Sequence, residues 1–210
     1  MEILNFAETK KLLLKYKIPF CKTEIFNSKE KAQGFAEKIG FPVVLKVHGS
    51  TIFHKSDIGG VKTGIKNKED FEKAWEEITE NSQLKKIEGI LVQETAYGNE
   101  LVIGMNRDSQ FGPVLMVGLG GIFVEVLKDV VFRVAPISKA EAEEMLKELK
   151  SYQLLQGFRG KPGVSIDAIA TLLANISKLA MNEKKIISLD FNPIMANEKT
   201  AEVADFRLII

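Results

Sequence analysis

Residues 41–61, FPVVLKVHGSTIFHKSDIGGV, decide how the rest of the chain is read. The stretch opens as an apolar β-strand carrying one charge, Lys46, and runs into a segment with His48, His54, Lys55 and the pair Gly59-Gly60. Apolar residues resume at Val61 and Ile65, so the pattern is strand, loop, strand. From residue 41 to 68 five lysines (46, 55, 62, 66 and 68) face a single acid, Asp57. Glycines that take positive φ let backbone N–H groups approach an anion, so Gly59 and Gly60 suit a phosphate cradle. The same residues also suit an ordinary tight turn beside a solvated lysine face.

Composition narrows the classes. The chain has 210 residues, 45% hydrophobic and 27% charged, with a formal net charge of +1. That length supports one large domain or one domain of two lobes. A balanced charge argues against nucleic acid as a partner, since the basic excess is confined to the opening stretch. One cysteine, Cys21, excludes an intrachain disulfide and any cysteine-based zinc cluster, in keeping with a reducing compartment. The N-terminal stretch MEILNFAETKK lacks a basic leader followed by an apolar core, and the longest uncharged run, 109–124, is too short for a membrane span. A cytoplasmic protein with no membrane segment is the expectation.

Helix signatures come from capping pairs and spacing. Asn5 with Glu8, Asn27 with Glu30, Asn67 with Asp70 and Ser138 with Glu141 each mark a helix start. Phe71, Ala74, Trp75 and Ile78 recur at i, i+3, i+4 and i+7, and Ala142, Met145, Leu146 and Leu149 form another such stripe. Between residues 90 and 134, short apolar runs punctuated by glycines predict a multi-stranded, largely antiparallel sheet. A loop at 157–163, GFRGKPG, leads into a further helix with Ile166, Ile169, Ala170, Leu173, Ile176 and Ala180 on one face. Two strands, near 186–191 and 201–206, follow it.

Five motifs together carry a resemblance: FPVVLK ending at Lys46, HKSDIGGV from His54, QETAYGNELVIG from Gln93, QFGPVLMVGLGGIFVEVLKD from Gln110 and LDFNP from Leu189. In this order, across essentially the whole chain, they resemble the β subunit of ADP-forming acetyl-CoA (acyl-CoA) synthetases, related to that of succinyl-CoA synthetase. The resemblance implies an α+β ATP-grasp fold over residues 1–210, with an N-terminal segment and small lobe to about 86, a large lobe over 87–210, and a nucleotide cleft between the lobes. It implies that Lys46, Gly59, Gly60 and Val61 meet the nucleotide phosphates, that Gln93 and Ala96, or Glu94 if the register slips by one, meet the adenine, and that Glu100 binds the ribose. Asn192 and Asp205 would hold Mg2+, with Asp190 in place of a glutamate found in the succinyl-CoA relatives. His54, beside Lys55, would relay a phosphoryl group, because a neutral imidazole nitrogen is nucleophilic near neutral pH.

Each position also has a plainer reading. Lys46 can snorkel from a strand end, QETAYGNE can be a simple hairpin, LDFNP a strand running into an Asn-Pro turn, and His54 a loop residue that only binds phosphate. His48 has only a structural reading. The segment GLGGIFVEVLKD lacks the spacing and following helix of a dinucleotide fingerprint, so its glycines shape a loop, with Glu125, Asp129 and Arg133 as secondary polar candidates. Arg159 and Lys161 are solvated charges by default.

The function implied is acyl-CoA, ADP and phosphate going to acid, CoA and ATP, with phosphoryl passing between ADP and a phosphohistidine on a separate CoA-binding α subunit in an α2β2 assembly. A non-catalytic ATP-grasp module that senses nucleotide or scaffolds a larger acyl-CoA-linked complex is the alternative. A carboxylate–amine ligase would require an amine-binding region that the motifs do not include.

Overall fold

The computed structural model describes residues 2–49, 59–81, 87–121, 127–158 and 160–210. Two units divide the chain: Cys21–Thr95 forms one, and Met1–Phe20 with Ala96–Ile210 forms the other. All strand pairing is antiparallel within the two main sheets.

The smaller unit is a four-stranded sheet in the order β1-β4-β2-β3, made of β1 (Thr23–Phe26), β2 (Val43–His48), β3 (Val61–Ile65) and β4 (Gly89–Glu94). Helices α2 (Lys29–Ile39) and α3 (Lys68–Glu80) cover one of its faces. Strand alternation explains which face: Val43, Leu45 and Val47 of β2 and Ile90 and Val92 of β4 enter a core with Ala32, Ala36, Phe71, Trp75 and Ile78. In α3, Asn67 caps the first turn by accepting from the Asp70 N–H at 2.9 Å, and the predicted stripe is fully internal, Phe71 and Trp75 stacking at 6.0 Å. The cap of α2 is Ser28, not Asn27, its hydroxyl accepting from the Lys31 N–H. The two short polar residues are adjacent, and spacing alone does not choose between them.

The larger unit is a six-stranded sheet built on β11-β10-β5-β6-β7, with β12 also pairing β10. Its strands are β5 (Asn99–Asp108), β6 (Gly112–Leu119), β7 (Val130–Val134), β10 (Ser188–Ala196), β11 (Ala201–Val203) and β12 (Phe206–Ile209). A two-residue ribbon, β8 (Gly157–Phe158) with β9 (Lys161–Pro162), stands apart. Helices α4 (Lys139–Lys147) and α6 (Ile166–Asn182) share a core with the odd-numbered side chains of β5, Leu101, Ile103 and Met105. Each such fully buried Leu or Ile contributes about 1.5–3 kcal/mol. Helix α6 is buried on a broad face because Leu172 and Leu179 join the predicted stripe, and Arg107 of β5 holds its end by donating to the carbonyls of Ala180 and Ile186 at 2.7 and 3.0 Å. Ser138 and Glu141 form the reciprocal capping box on α4.

Two placements differ from a division near residue 86. Strand β4 is a central strand of the smaller sheet, since its backbone pairs with both β1 and β2. Helix α1 (Phe6–Lys15) belongs with the larger unit, where Leu13 and the following Ile18 enter the core. A boundary drawn from local composition misses both, because sheet membership depends on distant partners.

Asp129, a secondary polar candidate, is 5% exposed and wholly engaged. Its carboxylate accepts from the backbone N–H groups of Lys150 and Ser151 at 3.0 and 2.8 Å and from the Ser151 hydroxyl, at the start of the short helix α5 (Tyr152–Gln156). Desolvation pushes the carboxyl up, but these hydrogen bonds together hold it below its ordinary value. A lowered carboxyl value adds stability above the ordinary carboxylate range, lost as pH falls through the lowered value. Asp129→Asn is therefore expected to lose about 1.5–3 kcal/mol of unfolding free energy at pH 7. In urea titrations that deficit should shrink steadily on acidification, and an equal deficit at pH 7 and about pH 3 would refute the assignment.

Candidate functional site

In the smaller unit the sequence candidates separate by face. Lys46 pairs with Val61 on one side and with Leu91 on the other, and Val44 pairs with Gln93. Lys46, Val61 and Gln93 therefore share the sheet face opposite the helices. Lys46 is half-buried in the middle of β2, flanked by the buried Leu45 and Val47, so it is not a strand-end lysine. Glu94 lies on the other face opposite Val43, and its carboxylate accepts from the Lys22 N–H at 2.7 Å with the Lys22 ammonium 3.4 Å away. The face with Lys46 thus takes Gln93 and not Glu94.

Of the two glycines before β3, only Gly59 takes a positive φ, 69°. Gly60 is buried and its carbonyl accepts from the Val47 N–H at 2.8 Å, which extends the β2–β3 ladder. The double-glycine turn is therefore a single left-handed residue followed by strand. His54 and Lys55 lie outside the described residues, as do Glu125 and Arg159. His48 stands 3.9 Å from Glu88, and its carbonyl accepts from the Glu88 N–H, in line with a structural place. Arg133 pairs with Glu148.

The larger unit brings its candidates onto one sheet face. Phe191 of β10 pairs with Ile103 of β5 but Ile194 pairs with Leu101, so two residues, Asn192 and Pro193, stand opposite the single Val102. This is a β-bulge, and it shifts the alternation: Leu189, Phe191, Ile194 and Ala196 are all buried, while Asp190 and Asn192 face out. The LDFNP motif is not a strand running into an Asn-Pro turn, because β10 continues through it to Ala196. Across the bulge the Asn192 N–H donates to the Asp205 carbonyl at 3.1 Å and the Ala204 N–H to the Pro193 carbonyl at 2.9 Å. Arg207 of β12 pairs directly with Asp190. Glu100 of β5 pairs with Met195, which puts it on the outward face with Asp190 and Asn192. Ala96 begins the second of the two chain segments that make up the larger unit. Arg207 was not singled out by sequence; its place follows from the β10–β12 register, which sets it opposite Asp190. The glycines of GLGG, expected to shape a loop, form the Gly120-Gly121 turn beside Glu100.

The ATP-grasp domain family model matches residues 1–210. Over 208 residues the chain is 43% identical to the β subunit of ADP-forming acetate–CoA ligase I from Pyrococcus furiosus, covering 97% of this chain and 90% of that one. It is 45% identical over 209 residues to ADP-forming acetate–CoA ligase I of Archaeoglobus fulgidus, of which it spans only 30%. Acetyl-coenzyme A synthetase 1 of Ca. Korarchaeum cryptofilum, solved with coenzyme A, Ca-AMPCP and HgCl+, superposes with a TM-score of 0.94 at 45% identity, covering 100% of this chain and 93% of that one. The same protein with coenzyme A and Mg-AMPPCP, its phosphohistidine segment pointing towards the nucleotide-binding site, gives 0.88 at 44%, with the same coverage. The chain belongs to the ATP-grasp β subunits of the ADP-forming acetate–CoA ligases.

In an ATP-grasp domain of this family the donor set on the larger sheet can be tested against a magnesium ion. Among the described residues no group of three or more His, Cys, Asp or Glu side chains stands together. Asp190, Asn192 and Asp205 instead offer two carboxylates and one amide, all oxygen donors, and Mg2+ uses one or two carboxylates completed by phosphate oxygens and water. Asp190 supplies the electrostatic test. Its side chain reaches solvent, yet the protein around it strips enough hydration to push its carboxyl above the ordinary value. Arg207 pulls it down, and the charge of Asp205 pushes it up again. Repulsion between two carboxylates is what a divalent cation relieves, so the residues fit the ion.

A carboxyl held above its ordinary value destabilises the fold while charged, and that penalty disappears as pH falls below the ordinary carboxylate range. Asp190→Asn is thus expected to raise the melting temperature at pH 7 and to lose the advantage near pH 3, while weakening magnesium-dependent nucleotide binding. Calorimetry across this pH range, with magnesium titrations, checks both; a melting temperature at pH 7 below wild type would reject the electrostatic assignment.

Proposed function

We propose that this chain is the nucleotide-binding subunit of an ADP-forming acyl-CoA synthetase, active with a CoA-binding α subunit in an α2β2 assembly in the cytoplasm. The reaction is acetyl-CoA, ADP and phosphate to acetate, CoA and ATP. The observation that carries this reading is the outward face of the larger sheet, where Glu100, Asp190 and Asn192 stand together with Asp205 across the bulge. The P. furiosus relative is a separate β subunit, whereas the A. fulgidus ligase contains the corresponding region within a longer chain. That pairing supports a division of labour in which the remaining chemistry resides on a partner.

Roles follow from chemistry. Lys46, a compact cation held by a rigid strand, neutralises the nucleotide phosphates, and the backbone at Gly59, Gly60 and Val61 adds amide donors. Gln93 and Ala96 meet the adenine, and the Glu100 carboxylate accepts from the ribose hydroxyls. Asn192, Asp205 and Asp190 hold Mg2+, which when bound offsets the charge of the phosphate chain. The phosphoryl group leaves the partner's phosphohistidine as its P–N bond breaks and a new P–N bond forms to His54, beside Lys55; that second bond then breaks as a P–O bond forms to the terminal oxygen of ADP. Protein chemistry at this step is positioning and charge neutralisation.

Incubating the chain with γ-labelled ATP, Mg2+ and its α subunit is expected to yield acid-labile phosphohistidine on the α subunit. Lys46→Ala should weaken ATP binding by about 10–100-fold, and His54→Asn should abolish label transfer. Absence of acid-labile label with the wild-type pair would point instead to a nucleotide-sensing module.

A further inference from the structure

We propose that Gly120 and Gly121 are positioning residues for Glu100, seating its carboxylate for the nucleotide ribose; this rests on the assignment of Glu100 above. Gly121 takes a φ of 59°, which by itself explains a glycine there. Gly120 is not among the glycines with positive φ, so its backbone conformation makes no such demand. The neighbouring backbone does. A Cβ at Gly120 would lie 2.9 Å from the Glu100 Cβ and 3.2 Å from the Glu100 carbonyl carbon and oxygen, closer than packed carbons approach. The Gly120 N–H donates to the Glu100 carbonyl at 2.7 Å, carrying the β5–β6 ladder one step beyond its last pair, Leu101 with Leu119.

Glu100 is therefore gripped through its main chain. Met195 of β10 pairs it on one side and the glycine turn closes on the other. Two residues upstream, Gly98 has φ 143°, and a Cβ there would stand 2.0 Å from the Ala196 carbonyl oxygen, so the entry to β5 is seated on β10 as well. The side chain itself is exposed and, among the described residues, has no hydrogen-bonding or ionic partner. A Cβ at Gly121 would sit 3.8 Å from Glu100 Oε2, so the bare glycine leaves the flank of the carboxylate open. Rigid backbone, free carboxylate and an open flank are the requirements for reading a pair of vicinal hydroxyls without first breaking an internal contact.

The test compares Mg-ADP with Mg-2′,3′-dideoxy-ADP by calorimetric titration of the full chain. Wild type should prefer ADP by about tenfold or more, the scale of hydrogen bonds to a charged group. Glu100→Gln should bring the ratio towards unity, and Gly120→Ala, with Glu100 intact and an unchanged circular dichroism spectrum, should do the same while dideoxy-ADP affinity stays within about threefold. A folded Gly120→Ala variant with the wild-type ratio overturns the positioning role. An unchanged ratio in Glu100→Gln overturns the ribose assignment itself, and the proposal with it. If Gly120→Ala does not fold, Gly121→Ala decides by the same ratio, and failure of both to fold assigns the glycines to architecture alone.

Discussion

The bulge at Asn192-Pro193 is the constraint on which the larger unit depends. Strand β10 is paired along both edges, by β5 on one and by β12 and β11 in succession on the other. Inserting one residue against β5 lets Leu189 and Phe191 before it, and Ile194 and Ala196 after it, all enter the same core. Strict alternation would have turned one of those pairs outward, with the loss of two buried apolar side chains. Ordinary alternation puts Asp190 and Asn192 on the outward face, and at the insertion the Asn192 N–H donates to the Asp205 carbonyl. The burial of both apolar pairs of β10 is thus set by a single irregularity.

That arrangement is electrostatically uncomfortable. Asp190 loses hydration and feels the charge of Asp205, with Arg207 only partly compensating. Asp129, less than ten residues beyond the GLGG turn, is the opposite case: a buried carboxylate whose three hydrogen bonds outweigh its desolvation. Asp129 is satisfied by its own chain, whereas Asp190 is raised chiefly by lost hydration, to which the charge of Asp205 adds. Lys46 extends the logic in the smaller unit, as a half-buried cation in an otherwise internal strand segment.

Local chemistry was legible where it acts within a few residues. Asn5, Asn67 and Ser138 cap the helices that their spacing predicts, and the Phe71, Ala74, Trp75, Ile78 stripe is internal as its periodicity requires. The face shared by Asp190 and Asn192 also follows from strand alternation. Ser28 in place of Asn27 at the α2 cap, the short helix α5 and the continuation of β10 past Pro193 were not legible, since each turns on a partner distant in the chain or on a choice between adjacent polar residues.

By itself the sequence determined most of the helices and strands, the candidate residues for phosphate, ribose and metal chemistry, and the family to which the chain belongs, because capping, periodicity and motif spacing are properties of neighbours. Only the tertiary structure decided that β4 joins the smaller sheet and α1 the larger unit, that Gln93 and not Glu94 shares a face with Lys46, and that Gly120 must lack a side chain. Those outcomes depend on which backbones pair across long stretches of chain, where a step of one residue exchanges the two faces of a strand.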